Sequence, residues 1–563
     1  MKQKVKNIGL DILIVLAPVI VFTIWILTKW SINYQVHDDR YMMEFLSGKF
    51  LGYSDAHVVY IKYLLALAIQ FLYKLFEGHD WYATVMLTIQ ILSMCIMSWY
   101  CVRKQKSIFS KLICQVLFYS VFILCWINEV TCFTYSTVAA FVSVTIIVVY
   151  AVGENRVRDY TLILILCFIA FNLRSDLFFM VTPICGILWL IKVCSENKKQ
   201  QVILLGLILI IIGASYGAEK MAYSSTEWSN YVKYNQARTK VFDYAYDDLI
   251  EYDKYSKMYD KLGISKEQCK IIETYDLSLY DNKLYDKIDD ISKEYVNNRT
   301  FSQKIKNMIT AVIKDGLLES KMMTIVSIVV WLIAFCCALV RKEYKVLLLE
   351  IVFLLLHISL WVYLGYRGRI LPRVSHSMLL MQIVSACICV YYIYKKEENV
   401  ITDKRKRMFT GALLVCAIFV SLYDIRLSSK LMTKNQREAD YQDQYIIEKY
   451  CNDHSENFYF LDVFSVVECK YVFDFNNSNT YENFLSLGDW FGNSPLYNNK
   501  LKVEKIDSVR KAVLEDENVF VIGIKGKDMN FISDITDKNV VIKEVDFLDG
   551  GMDDYVVYSV SQQ

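Results

Sequence analysis

The sequence predicts a mainly α-helical, polytopic membrane protein with an α/β domain at its C-terminal end. Three observations carry that prediction. Of the 563 residues, 55% are hydrophobic. They gather into nearly uncharged runs of about 20 residues, the length that spans a ~30 Å hydrocarbon core at ~1.5 Å rise per residue. Lys and Arg collect at the ends of alternate runs, as the positive-inside rule requires. The formal net charge is only +2, so nothing in the total points to a nucleic-acid partner. The information lies in where the charges fall.

The apolar runs cover 8–30, 81–102, 112–129, 131–152, 160–174, 176–194, 201–219, 321–340, 345–364, 376–394 and 408–424. The first resembles a signal peptide but is too long and has no small-x-small cleavage site, so it reads as a retained span. A twelfth stretch, 57–76, decides the topology. With it left out and the N-terminus inside, the cytoplasmic connections carry Lys2, Lys4 and Lys6; Arg103, Lys104 and Lys106; Arg156 and Arg158; Lys198 and Lys199; Arg341, Lys342 and Lys345; and the cluster from Lys395 to Arg407. Counting it as a span puts all but the first group outside. On a helical wheel Tyr60, Lys62, Tyr63, Gln70, Tyr73 and Lys74 share one side, with Leu64, Leu65, Ile69, Leu72 and Phe76 mostly opposite. That pattern predicts an interfacial helix. The expectation is eleven spans, with the N-terminus cytoplasmic and the C-terminus outside.

Three regions then face outward. Residues 1–424 form the transmembrane domain, with a first outer loop at 31–80 and a charged, Tyr-rich helical insertion at about 220–320. The insertion holds a capping box from Ser265 to Gln268. Residues 425–563 read as an extracytoplasmic α/β domain. There NFYFLDVFSVVE, ENVFVIGI, KNVVIKEV and DDYVVYSV have strand patterns, interleaved with helical stretches at 436–450 and 502–515. Most of the 16 cysteines lie in apolar runs and act as small hydrophobes. Cys451 and Cys469 are the pair whose placement allows a bridge. No cysteine or histidine cluster has metal spacing.

Several polar groups stand out. In His37-Asp38-Asp39-Arg40, two adjacent carboxylates at the membrane surface repel and raise one another's pKa unless a cation is near. They read either as a catalytic base or metal site, or as acids favoured in the first turn of a helix beginning at Arg40. Arg367, Arg369 and Arg373 lie in an outer loop, against the positive-inside trend. Arg binds phosphate in bidentate fashion, so they suggest an anionic lipid head group; paired surface cations are the alternative. Arg174 either snorkels or adds a fourth phosphate ligand. His57 and His79 flank the 57–76 segment as weak substrate contacts or turn residues. Glu129 reads as solvated, His376 as an interface residue, and His357 as a buried polar contact. Asn235, Arg238 and Asp243 read as one face of an amphipathic helix.

The order of a first span, an outer loop opening with an acidic pair, an interfacial helix and a second span resembles the GT-C superfamily. These are multi-pass glycosyltransferases that use polyprenyl-phosphate sugars outside the cytoplasm. The stretch from Asp38 to Tyr82 is similar to poorly characterised bacterial proteins of this type, through Asp38-Asp39, Ser47-Gly48, Asp55-Ala-His57 and Trp81-Tyr82. The resemblance covers about the first hundred residues well and the other spans only as architecture. It implies a transferase in the cytoplasmic membrane of a bacterial cell envelope, acting on a polyprenyl-phosphate-linked sugar and a surface glycan, lipid or protein acceptor. Asp38 or Asp39 would be the base, with Arg40 a weaker substrate contact. Arg367, Arg369, Arg373 or Arg174 would stabilise the departing phosphate, with inversion at the anomeric carbon. Some members hold a divalent metal with first-loop acids and others do not; Asp38 and Asp39 carry oxygens suited to Mg²⁺ or Mn²⁺.

Two other classes compete. A surface-polysaccharide polymerase or ligase would use a lipid-diphosphate oligosaccharide and depend on the late arginines. A transporter or flippase of lipid-linked sugar would place ionisable groups in mid-span and Gly/Pro breaks in its helices. Mid-span charges are scarce, and the chain has only four prolines.

Overall fold

The apolar runs fold into long helices. The computed structural model describes residues 2–195, 198–243, 249, 251–280, 282–298, 300–368, 370–395, 445–466, 481–536, 539–550 and 553–562. The helices of the bundle are α1 (Lys2–Lys29), α4 (Trp81–Arg103), α5 (Ile108–Thr131), α6 (Tyr135–Val152), α7 (Val157–Leu173), α8 (Ser175–Ser195), α9 (Lys198–Ala222), α15 (Lys321–Val340), α16 (Tyr344–Arg367) and α17 (Pro372–Tyr394). Among the described residues, nine helices are long and apolar enough to cross a membrane. The 17-residue α7 falls just short of that length and packs beside α6, α8 and α9. The expected span at 408–424 lies outside the described residues.

Local chemistry sets the helix ends. Asp80 accepts from the Ala83 N–H at 3.0 Å to start α4, and Ser107 accepts from Ser110 N–H at 3.0 Å to start α5. Pro372 occupies the first turn of α17, where its missing N–H costs nothing. The central helix is α6, apolar along its length and buried at every residue, as a helix with no polar face must be. It packs against α4, α7, α8 and α17.

The two ends of the bundle differ chemically. At one end Tyr100 donates to Asp159 at 2.6 Å. Arg103 and Lys104 each reach Glu154 at 4.0 Å, Lys192 meets Asn155 at 2.7 Å, and Arg341 covers the Tyr394 ring. The predicted basic loops thus gather together. At the other end β1 (Asn33–Tyr34) pairs in parallel with β2 (Cys132–Phe133). There Lys62 N–H donates to Asn172 at 2.8 Å, and Tyr63 N–H donates to Glu219 at 2.7 Å. Each helix from α4 to α9 therefore runs from one end to the other.

The 57–76 stretch becomes a short helix, α3 (Tyr63–Leu75). Its 13 residues are about 20 Å long, too short for a ~30 Å core. Its orientation corrects the wheel. Gln70 and Tyr73 are buried, while Leu67, Phe71 and Leu75 are exposed. Gln70 donates to the Ser54 carbonyl at 2.8 Å and Tyr73 to Asp80 at 3.0 Å. Beside a lipid-facing surface, polar groups gain by turning into the protein, where partners are.

The remaining elements cover the non-basic end. Helix α2 (His37–Ser47) lies in the first loop and ends at Gly48, whose φ of +90° favours glycine and where a Cβ would stand 3.0 Å from Ser54 N. The insertion contributes α10 (Thr226–Arg238), α11 (Tyr252–Leu262), α12 (Lys266–Thr274), α13 (Asn282–Asn298) and α14 (Phe301–Thr310). The predicted Ser265–Gln268 box forms, with reciprocal bonds of 3.1 and 3.2 Å. The C-terminal sheet has the order β4-β3-β5-β7-β6, from β3 (Phe458–Leu461), β4 (Phe484–Ser486), β5 (Val519–Ile524), β6 (Val540–Leu548) and β7 (Tyr555–Gln562). The first three are parallel, and β7 is antiparallel to β5 and β6. Strand β4 has no counterpart among the expected strands. The stretch expected as one helix at 502–515 is two, α18 (Pro495–Val503) and α19 (Val509–Glu515). Cys451 is buried, and Cys469 lies outside the described residues.

The sheet unit docks on the insertion and the first loop. Ser278 N–H donates to the Leu487 carbonyl at 2.8 Å, and Val463 N–H to Asp276 at 3.0 Å. A Cβ on Gly488 would stand 2.0 Å from the Tyr275 carbonyl oxygen, so only glycine fits this approach.

Candidate functional site

The first turn of α2 carries both acidic residues, where unpaired backbone N–H groups favour negative charge. Their surroundings are different. Asp39 is fully buried. Its Oδ1 accepts from the Tyr82 hydroxyl at 2.6 Å and the Tyr135 N–H at 2.8 Å. Burial raises its pKa to about 7 against those hydrogen bonds. Asp39 thereby ties α2 to the starts of α4 and α6.

Asp38 is the accessible carboxylate, with 16% of its side chain exposed. It accepts no hydrogen bond from the described residues. Burial raises its pKa, His37 and Arg373 pull it back, and Asp489 and Asp243 add to the rise. His37 Nε2 is 3.8 Å from Asp38 and 3.1 Å from Asp489 Oδ2. Burial disfavours charge on His37, but Asp489 and Asp38 outweigh it and lift its pKa to about 9. Asp489 has φ +72°, and its Oδ1 also accepts from the Trp490 N–H at 2.5 Å.

Aromatic and basic groups complete the wall. Tyr60 stacks on Tyr135 with ring centroids 5.8 Å apart. Arg174 donates to the Tyr135 hydroxyl at 3.2 Å and to Ser136, and its guanidinium lies over the Tyr135 ring. Tyr135 feels Asp38, Arg373 and Arg174 together. Arg238 is buried and donates to Tyr275 at 2.6 Å, Asn235 at 2.7 Å and Asp243 at 3.4 Å.

Of the residues proposed from sequence, Asp38, Asp39, Arg373 and Arg174 come together here. Arg367 does not: it is exposed at the end of α16 and meets Tyr363 at 3.5 Å. Arg369 lies outside the described residues. Arg40 turns away from Asp38 and pairs with Glu44 at 2.6 Å. His57 is bound to Asp55 at 2.6 Å and stacked on Trp228. His79 meets Thr84 at 2.8 Å. Glu129 is buried and bonded to His376 at 2.5 Å, so it is not the solvated end group expected of it. His357 does make a buried contact, to Ser385 at 3.3 Å.

For a metal, the described residues place three acidic ligand atoms within 4.8 Å of one another at Glu44, Glu448 and Glu482, not at Asp38 and Asp39. Those acids meet cations already. Arg40 binds Glu44. Lys49 binds Glu448 at 3.0 Å and Glu482 at 3.2 Å, and Lys500 feels Glu482 and Glu44. At the other site Asp39 has committed Oδ1 to Tyr82 and Tyr135, while Asp38 faces His37 and Arg373.

Sequence reasoning missed Asp489 and the inward role of Arg238. Asp489 stands 452 residues from His37, and no local pattern in Gly488-Asp489-Trp490 marks it. Arg238 carried a signal, with Asn235 three residues before it and Asp243 five after.

No protein-family model matches the chain, and no curated protein matches it. Two solved structures align along nearly its whole length. They are crystal structures of ArnT from Cupriavidus metallidurans, one bound to undecaprenyl phosphate and one in the apo state. The first is 10% identical, with 96% of this chain and 97% of that chain covered and a TM-score of 0.40. The second is 9% identical, with 98% of each covered and a TM-score of 0.39. At these values the likeness gives no information on activity.

Proposed function

We propose that the chain is a membrane glycosyltransferase of GT-C type that moves a sugar from a polyprenyl-phosphate donor to an acceptor outside the cytoplasm. The observation that carries this reading is Asp38: an accessible carboxylate without a hydrogen-bond partner among the described residues, influenced by Arg373 and set against Tyr135 and Arg174 at the non-basic end of the bundle. The N-terminus and basic loops are taken as cytoplasmic.

In this reading the acceptor hydroxyl lies against Asp38. A carboxylate whose pKa is raised toward neutrality is a better general base than a free one. Asp38 takes the hydroxyl proton as the acceptor oxygen bonds to the anomeric carbon. The bond from that carbon to the phosphate oxygen breaks, and configuration inverts. The phosphate leaves with added negative charge beside Arg373 and Arg174, the latter held in advance by Tyr135 and Ser136. His37, charged below about pH 9, holds Asp38 and the sheet unit's Asp489 in one array. No step runs through a metal.

The test is the purified full chain in nanodiscs, supplied with polyprenyl-phosphate sugars and followed by release of polyprenyl phosphate. Release that disappears in Asp38→Asn supports the reading. Flux of the donor across vesicles with no release would instead make the chain a transporter.

A further inference from the structure

A large opening lies beside the charged site. Helix α10 of the insertion and α18 of the sheet unit diverge around a cleft of about 1070 Å³. Small-molecule sites run to roughly 300–1,000 Å³, so this cleft holds something larger than one sugar. Its chemistry is specific. Asn230 and Gln236 face it from α10, and Asn493 and Asn498 from the sheet unit, with the rings of Tyr231 and Tyr234 between. Amide side chains both donate and accept, matching hydroxyl groups, which also do both. Aromatic rings offer an apolar face with a polar edge. The charges cancel: Lys233, Lys240 and Lys502 are set against Glu227, Asp289 and Asp507. A site for a phosphate or a polyanion would carry a surplus of cations.

Packed side chains link the cleft wall to Asp38. The Tyr231 hydroxyl donates to the Trp490 carbonyl at 2.8 Å. Trp490 adjoins Asp489, which binds His37, which adjoins Asp38. Trp490 further packs on Tyr60, ring to ring at 4.7 Å. One wall of the cleft is therefore continuous with the wall of the charged site.

We infer that this cleft binds a neutral oligosaccharide, the acceptor end of a glycan, and presents its terminal hydroxyl toward Asp38. The identity as acceptor rests on the transferase reading; the binding itself does not. The test uses saturation-transfer NMR on the full chain in nanodiscs, with cellotetraose, chitotetraose and maltotetraose as neutral probes and tetragalacturonate as the anionic one. At least one neutral tetrasaccharide should receive saturation, and tetragalacturonate less. Asn230→Trp and Asn498→Trp, both at exposed positions, should each weaken that binding by about tenfold, the worth of one to two hydrogen bonds. Absence of binding for all three neutral probes, preference for tetragalacturonate, or unchanged binding in both Trp variants would overturn the assignment. Saccharide binding with no transfer by the unaltered chain would sink the transferase reading and leave the cleft standing.

Discussion

The two ends of α2 carry charge in opposite ways. At its C-terminal end Glu44, Glu448 and Glu482 are met by Arg40, Lys49 and Lys500, and the first loop is locked to the sheet unit. At its N-terminal end Asp38 has no hydrogen-bonding partner among the described residues, though His37, Arg373 and Asp489 stand around it. Matched buried charges hold parts together. A carboxylate that accepts no hydrogen bond from the described residues, in a partly open site, is available to a substrate. Both ends lie on one 11-residue helix, so the scaffold that closes one end also positions the other.

That contrast can be broken from either side. The largest effect is expected at the matched end. Glu44→Ala removes the shortest ion pair of the buried Arg40, leaving Glu448 at 3.9 Å, and should cost about 3–5 kcal/mol, read as a fall in thermal unfolding temperature. The double change Arg40→Met with Glu44→Leu should recover most of that loss. If Glu44→Ala melts like the parent, the cluster is not structural. At the open end Arg373→Ala should lower transfer by about 10²–10³-fold, the loss seen on removing one preorganised charge partner, with little change in melting. Gly488→Ala should reduce transfer as well, because a Cβ there collides with the Tyr275 carbonyl and displaces Asp489; limited proteolysis of the sheet unit should quicken in parallel.

A smaller, pH-dependent effect concerns the bridge between the regions. The pKa of His37 is raised from 6.5 to about 9. The stability its ion pair contributes is therefore fully present below 6.5 and lost as pH rises through 9. Activity should fall on the same alkaline limb. In Asp489→Asn the main group raising that pKa is gone while burial still lowers it, so the limb should move down toward or below neutral pH. An unmoved limb would separate His37 from the activity. The smallest effect belongs to Arg367→Ala. With its side chain exposed on α16, transfer should change by less than about twofold, within the range of surface substitutions.

Much of the bundle was legible because a lipid-spanning helix needs a long apolar run, and runs are visible one residue at a time. The short α3 was legible as a non-crossing segment from the placement of basic loops, yet its orientation was not. The wheel assigns Gln70 and Tyr73 to a wet face, whereas they turn inward to Ser54 and Asp80. Amphipathic reasoning presumes water outside, and here the outside is apolar. The acidic pair was legible as a site, but the division of labour within it was not. That division depends on Tyr82 and the Tyr135 N–H reaching Asp39 rather than Asp38. Glu129 and His376 looked like unrelated end groups because 247 residues separate them. Asp489 was invisible for the same reason.

The central claim is that Asp38 performs the chemistry and Asp39 holds the frame. Single-turnover transfer from a polyprenyl-phosphate sugar by Asp38→Asn and Asp39→Asn, with a thermal melt of each, tests it directly. Asp38→Asn should lose about 10²–10⁴-fold in rate, the contribution of a general base, and melt like the parent. Asp39→Asn should lose stability first and keep more of the rate. Full activity in Asp38→Asn, or a loss confined to Asp39→Asn at unchanged stability, would contradict it.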